Sequence, residues 1–379
     1  MRFGTAHCEI TPPFSTTMRG YSARKDTFDR VNDPLTFTAI VLEEGESRAL
    51  LGAADLCGFP DDESMTSLLT QLGEAVGCPP DNVMLNASHT HGGPKVADRY
   101  RDWLYERVLM TTREAADSIS EGTLWHGEGK TRLPMNRRLE RDGQVANAPN
   151  PEGPVDDRMQ LLVLRKPGGE VAAVGMKVSC HPVATGAQHL ITADYPGAWR
   201  AAFSKAFGDS KVLPFFLQGA GADARPRHVA DGDRWRAMKH AELSTIGDEL
   251  LTEILVILTG IGLRQLRDLT LKGRINAVNA PKEAEEEAPD HEEFHVQTLW
   301  LDSELALIGL DAEPLCGLGK IVEAAVAPKQ AMLLGYTNGC RAYTPDSQEM
   351  KRGGYETGGH FLPGLEDLFA QAVAQEVKG

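Results

Sequence analysis

Short apolar runs rich in β-branched residues alternate along this chain with longer stretches of helical pattern, and that alternation limits the fold more than any other feature. The strand candidates are Phe37–Leu42, Ala49–Ala54, Val83–Ala87, Gln160–Leu164, Val171–Val178, Val212–Leu217, Val296–Leu301 and Leu305–Leu310. The helix candidates are Ser64–Val76, Tyr100–Ala116, Gly197–Phe207, Trp235–Leu258, Leu315–Val326 and Leu365–Val377. Interleaved strands and helices of this kind predict a layered α/β protein, with mixed β-sheets packed between helices. No internal repeat and no linker divides the chain, so residues 1–379 read as a single large domain. Arg138–Asp157, rich in Asn, Pro and charge, and the Glu-rich Pro281–Glu293 read as long loops, the second as a solvated face.

A chain of 379 residues with 41% hydrophobic and 25% charged residues is long enough to bury a substantial core. Its net charge of −15 argues against nucleic acid or an anionic membrane as partner, because both are polyanions. The most apolar stretch, Ile254–Leu263, is too short to span a bilayer and is interrupted by Thr259, Gly260 and Gly262, so it reads as a buried helix end. The start, Met1 to His7, lacks the apolar run of a secretory signal. The six cysteines are scattered without a CxxC pair and are expected to be reduced thiols, which points to the cytoplasm.

The strongest local motif is Asn86-Ala87-Ser88-His89-Thr90-His91-Gly92-Gly93-Pro94, directly after the strand candidate Val83–Ala87. Residues two apart on a strand share a face, so His89 and His91 are expected to point together into a cleft. Neutral imidazole is a common zinc ligand. An isolated His-x-His serves two exposed loop histidines equally well. A second motif, Ser179-Cys180-His181-Pro182, ends the candidate Val171–Val178 and supplies the distant imidazole that a His/His/carboxylate zinc site needs. Asp194 precedes a helix candidate; it is either an N-cap or a carboxylate that orients a ligand histidine.

One motif competes. His291-Glu292-Glu293-Phe294-His295 matches HExxH, the metalloprotease pattern, which requires both histidines one turn apart on a helix. Pro289-Asp290 before it and the strand-like Val296–Leu301 after it leave no room for that helix. Gly219-Ala220-Gly221-Ala222 falls short of any nucleotide-binding glycine motif, no GxSxG elbow occurs, and no cysteine carries a nucleophile signature.

Taken in order, these segments resemble the catalytic domain of the neutral/alkaline, non-lysosomal ceramidases and their shorter bacterial relatives. The resemblance runs from Gly4–Pro13 to Gly353-Gly354-Tyr355-Glu356. It takes in Ser88–Pro94, Asn136-Arg137-Arg138, His181-Pro182, Ala193-Asp194, Asp223 and Glu313. It implies a zinc ion held by His89, His181, Glu313 and Tyr343. His91, Arg137 and Tyr355 match groups that handle substrate around that metal. Two departures stand out. Where the family carries a serine, this chain has Arg225, in Ala222-Asp223-Ala224-Arg225-Pro226, and an arginine stays protonated and cannot act as nucleophile. The family's C-terminal immunoglobulin-like domain has no counterpart.

The resulting expectation is hydrolysis of a carboxamide in a small-molecule N-acyl substrate by zinc-activated water. A soluble compound is expected rather than ceramide. His91 or Tyr355 would serve the leaving amine with a proton. Arg137 and Arg225 would bind an anionic part of the substrate, with an internal Asp223–Arg225 ion pair as the alternative for Arg225. The other function classes left open are a non-catalytic ligand-binding protein on a decayed hydrolase fold, and the HExxH protease using His291, Glu292 and His295.

Overall fold

The computed structural model describes residues 1–208, 212–260, 262–283 and 289–375. The apolar runs form three main sheets. The first has the order Val83–Ala87, Ser47–Ala54, Thr36–Glu44, Arg2–Glu9, Ser120–Glu121. The second runs Leu213–Gln218, Val171–Val178, Arg158–Arg165, Thr123–Lys130, Arg264–Leu266. The third runs Lys272–Pro281, His291–Trp300, Leu305–Leu310, Gln330–Leu334.

Strand periodicity explains how they stack, because successive side chains leave opposite faces. Ile40, Leu42 and Met84 of the first sheet, Leu162, Phe215 and Leu217 of the second, and Leu299, Leu307 and Met332 of the third bury together in one central core. The alternate residues face outward under helices. Phe37, Val41 and Leu85 pack with Leu68, Leu72 and Leu104 from helices Glu63–Val76 and Asp98–Asp117. Leu161, Val163 and Phe216 meet Trp199, Phe203 and Ile254 from helices Tyr195–Ala206 and Leu243–Thr259. Ile308 and Leu333 meet Leu318 and Phe369 from helices Cys316–Ala324 and Leu365–Ala374. Strands covered on both faces read as continuous apolar runs, which is why they were visible in the sequence. This is the layered, mixed α/β arrangement expected.

Each main sheet contains one parallel pair: Ser47–Ala54 with Val83–Ala87, Val171–Val178 with Leu213–Gln218, and Leu305–Leu310 with Gln330–Leu334. Asn86 ties these pairs together. Its side-chain oxygen accepts from Gln218 N at 2.7 Å, and its amide donates to Gly335 O at 2.7 Å and Gln218 O at 3.3 Å. The carboxyl ends of the three pairs therefore meet at one place, the position where open α/β sheets present their ligand-binding loops.

Three expectations need correction. Arg138–Asp157 is not a loop throughout. Pro134–Arg141 and Gln144–Asn150 form a hairpin whose turn, Asp142-Gly143, has positive φ at both residues (52° and 74°). That turn matches the twist of paired strands. The fourth helix begins at Leu243 rather than Trp235, because Arg234–Trp235 pairs with Ala230–Asp231 instead. Pro281 ends one strand and His291–Glu293 begin another, while residues 284–288 of that expected loop lie outside the described residues. His291, Glu292 and His295 thus sit on a strand, not a helix. The final helix is described to Ala374, and the expected end at Val377 lies outside the described residues. Among the described residues no helix is long and apolar enough to cross a membrane, and all six cysteines are free thiols.

Candidate metal centre

The sheet ends deliver three side chains to one point. His89 follows Val83–Ala87, His181 follows Val171–Val178, and Glu313 follows Leu305–Leu310. Glu313 Oε2 lies 3.3 Å from His89 Nε2 and 3.6 Å from His181 Nε2. One donor atom from each of the three fits within 4.8 Å of the others. The two imidazoles are buried and Glu313 is nearly so.

The backbone arranges this differently from the expected strand alternation. His89 lies beyond the strand, at φ 64°, a left-handed conformation that costs a non-glycine residue about 1–2 kcal/mol. That kink, rather than a shared strand face, turns the His89 ring against both His91 and His181, each with a centroid distance of 4.7 Å. Tyr336 stacks on the far side of His89 at 4.1 Å. Main-chain carbonyls fix the ring orientations. His89 Nδ1 donates to Cys57 O at 2.5 Å and His181 Nδ1 to Gly221 O at 2.7 Å, which leaves both Nε2 atoms directed at Glu313. Asp194 has no part in this. Its carboxylate accepts from Tyr195 N, Ala184 N and Thr185, so it caps a helix and orients neither ligand histidine.

The electrostatics suit a bound cation. Burial, reinforced by the Arg137 charge, lowers the His181 imidazole to about 3, so it is neutral. Burial and the neighbouring imidazoles of His89 and His181 likewise hold His91 well below its ordinary range. At His89 burial opposes protonation, but the Glu313 carboxylate outweighs it and pushes the imidazole well above its ordinary value. Glu313 in turn is held well below the carboxylate range, the His89 charge overcoming its burial. The protonated His89, Arg137 and Arg19 are cations whose fields reach this buried carboxylate. His181 Nε2 and Glu313 Oε2 are buried without a hydrogen-bond partner, which is costly unless something else fills the space between them. Two imidazoles and a carboxylate around such a gap fit a catalytic zinc ion with open positions. Cys57, His89 and His91 form a second candidate group, but it lacks a carboxylate, and the His89 Nδ1 edge that faces the Cys57 sulfur already bonds the Cys57 carbonyl.

The remaining expected residues ring this point. Tyr343 pairs with Glu313 in a short parallel bridge, and its hydroxyl accepts from the Arg137 guanidinium at 3.3 Å. Burial and the nearby Glu313 charge push the Tyr343 phenol far up, so it is neutral. Arg137 also donates to Glu356 at 2.8 Å. Tyr355 is 67% exposed at the rim, its ring 5.5 Å from Tyr343. Arg225 lies with its guanidinium 5.3 Å from the Trp235 ring centre. It makes no ion pair with Asp223, whose carboxylate accepts instead from Cys316 N.

The whole chain superposes on neutral ceramidase from Pseudomonas aeruginosa with a TM-score of 0.83 at 18% sequence identity, covering 100% of this chain and 74% of that one. A ceramidase complexed with C2 gives a TM-score of 0.82 at 18% identity, over 100% of this chain and 75% of the other. The fold is that of neutral ceramidase. No protein-family model and no curated protein matches the sequence.

On this ceramidase fold, several residues at the site had no sequence signal strong enough to find them. Tyr21 packs edge-on against His91 at 4.8 Å, and Arg24 donates to the His91 carbonyl at 2.6 Å. Gly20, at φ 112°, lets that segment approach, since a Cβ there would stand 2.6 Å from the His91 ring. Glu356 ends the segment Gly353-Gly354-Tyr355-Glu356 with no role of its own marked there, and nothing beside Tyr336 in the sequence marks it. His291 and His295 lie elsewhere: His291 pairs with Asp290, and His295 Nδ1 with Asp311 at 2.9 Å.

Proposed function

We propose that this protein is a metal-dependent amide hydrolase, with zinc as the metal, acting on a small N-acyl compound. The observation that carries this reading is the convergence of His89, His181 and Glu313, two of whose facing atoms are buried without partners, on a fold shared with ceramidase. His89, His181 and Glu313 would hold the metal, with Tyr343 as a fourth and weaker ligand. A zinc ion held there would supply an activated water and polarise the substrate carbonyl.

The protein groups do the rest. Arg137, anchored by Glu356 and touching Tyr343, is placed to donate hydrogen bonds to an oxygen that gains negative charge as the amide is attacked. His91 is neutral and its Nε2 faces the same centre, 3.0 Å from His89 Nε2. It can take a proton there and return it to the departing amine. Tyr355, exposed at the rim, is the alternative donor. Asp194 accepts from Ala184 N and Thr185 N in the loop that follows His181, a structural contact.

Ceramide is not the substrate this reading favours. The neighbourhood of the site carries Arg24, Arg137 and Arg225, whereas the chain as a whole is strongly acidic, and these cations suit a polar, water-soluble compound better than a neutral lipid. A non-catalytic ligand-binding role is opposed by the metal-binding geometry, which a decayed hydrolase has no reason to keep. The test is turnover of a panel of N-acyl compounds by the zinc-loaded protein, after chelation and after zinc is restored. Chelator-sensitive release of free amine supports the reading; absence of any amide cleavage across the panel rejects it.

A further inference from the structure

Arg225 is placed where an internal structural role does not account for it. It lies in the short strand Ala224–Pro226, antiparallel to Pro134–Arg141 and opposite Met135. That register makes Arg137 its diagonal neighbour on the same ribbon face, within reach of long side chains. A second guanidinium is an unfavourable neighbour for a first. Burial, with Arg137 as the next cause, accordingly lowers the Arg225 pKa.

No carboxylate among the described residues forms an ion pair with this charge. Among the described residues the Arg225 side chain has no hydrogen bond and no ion pair, and its Nε is buried without a partner. Glu356, the acidic group whose field reaches it, is already shared by Arg137 and Arg138. Asp223 bonds the Cys316 amide, and Asp194 bonds the Ala184, Thr185 and Tyr195 amides. What Arg225 does have is the face of Trp235, which supports a flat guanidinium and leaves its N–H edges for a ligand. A mostly buried cation without a counter-ion is expensive to maintain.

Its position relates it to the chemistry. Tyr21, which packs against His91, is pushed up to about 12 by burial, and Arg225 is the largest charge acting on it. Arg137, its other neighbour, touches Tyr343. Arg225 is thus one side chain removed from groups on two sides of the metal centre.

We propose that the substrate carries a carboxylate close to the scissile amide, and that Arg225, braced on Trp235, binds it through paired N–H donors. The ligand class is therefore an amide that bears a carboxylate near the scissile bond, on its amine side, as in an N-acyl amino acid, or on its acyl side. Planar guanidinium and carboxylate match in a two-point contact that a neutral hydroxyl cannot reproduce. The inference rests on the hydrolase reading for the reaction, but not for the ligand.

The experiment compares three probes that differ in where a carboxylate stands: N-hexanoylglycine, with it on the amine side; N-ethylglutaramate, with it on the acyl side; and neutral N-hexanoylethanolamine. Zinc-loaded wild type is expected to favour one carboxylate probe over the neutral one, and which one it favours tells where the anion lies. In Arg225→Ala the kcat/KM ratio of carboxylate to neutral probe should fall about 10- to 100-fold, the size of a lost charge-assisted contact. Arg225→Lys keeps the charge but not the fork, and should fall in between. Calorimetric titration of each carboxylate probe into chelator-treated protein gives a second reading independent of turnover, taken on whichever of the two binds more tightly, and circular dichroism confirms that the variants fold. Binding that depends on Arg225 without cleavage of any probe would uphold the carboxylate site and reject the hydrolase. Equal losses on all three probes, preference for the neutral probe, or binding unchanged by both substitutions would overturn the inference.

Discussion

Asn86 and Gln218 exchange two hydrogen bonds across the gap between the first and second sheets, the Asn86 side chain standing in for a strand that is not there. The same amide also reaches Gly335 at the end of the third sheet. This side chain therefore helps to fix the relative position of the strand ends that carry His89, His181 and Glu313, and Asn338 adds hydrogen bonds from Leu85 N and to Val83 O between the first and third sheets. Asn86→Leu should cost about 3–5 kcal/mol, because it leaves several buried backbone groups unpaired at once. Asn86→Asp should also destabilise, since a carboxylate can still accept from Gln218 N but cannot donate to the two carbonyls. Urea unfolding checks both. Stability within about 0.5 kcal/mol of wild type would show that the sheets are held together elsewhere.

What could be read from the sequence follows from how each residue makes its contacts. Val83–Ala87 and Leu305–Leu310 are buried on both faces, so their composition alone marks them as strands. Thr123–Lys130 escaped notice because Gly127 and Gly129 interrupt its pattern. Those glycines make room for Ile257 of the covering helix, whose atoms would lie within 2.9 Å of an added Cβ at either position. Lys272–Pro281 is an edge strand in which only Val278 and Ala280 are buried, and Lys272, Arg274, Asn276 and Asn279 interrupt its apolar signal. The Asp142-Gly143 turn was a readable hairpin signal that the polar composition around it obscured. At the site, His89 and His181 stand in local motifs. Glu313 and Tyr343 were reachable only through resemblance to a family. The contacts of Tyr21, Arg24, Tyr336 and Glu356 join segments far apart in the chain, and nothing local records such pairings.

Glu356 is the shared anchor of two buried arginines. It accepts from Arg137 Nε at 2.8 Å and also pairs with Arg138, which Glu349 holds from the other side at 2.6 Å. Glu356→Ala removes one partner of a buried network and should destabilise by about 3–5 kcal/mol. Glu356→Gln keeps the shape and one acceptor and should cost less. In both variants Arg137 loses its fixed approach to Tyr343, so kcat should fall at least about tenfold in whichever folds. Thermal unfolding and steady-state kinetics test this; a variant with wild-type kcat would remove Arg137 from the proposed machinery.

His126 makes stability depend on pH away from the candidate metal centre. It is buried in Thr123–Lys130, its Nε2 has no partner, and burial, aided by Arg264, lowers its pKa to about 4. The unfolded chain binds this proton near pH 6.5, and the folded protein does not until about pH 4. Stability is therefore whole above pH 6.5 and lost progressively as pH falls toward 4, by about 3 kcal/mol at full effect. His126→Asn should lose correspondingly less between pH 7.5 and 4.5 than wild type in urea unfolding. Parallel losses in the two proteins would show that other groups govern the acid limb.

The metal assignment separates the histidine pair that the sequence favoured, His89 and His181, from the HExxH pair, His291 and His295, for which it left no room for a helix. His89 and His181 are buried, their Nδ1 atoms are fixed by carbonyls, and their Nε2 atoms converge on Glu313. His291 is exposed and paired with Asp290, and His295 is half-exposed and paired with Asp311. Both lie on the strand His291–Trp300, where the one-turn spacing that HExxH chemistry requires does not exist. Removing either of two imidazoles from a three-ligand set should weaken zinc by more than the 10- to 100-fold typical of losing a group that merely orients a ligand. His89→Ala, His181→Ala and Glu313→Ala should each purify with far less than one zinc per chain after dialysis against a mild chelator. The His291→Ala/His295→Ala double variant should retain it. Elemental analysis together with chelator competition reads both outcomes directly. Full zinc in the His89 and His181 variants, with zinc lost from the double variant, would move the metal to the strand and remove the ground for the proposed hydrolase.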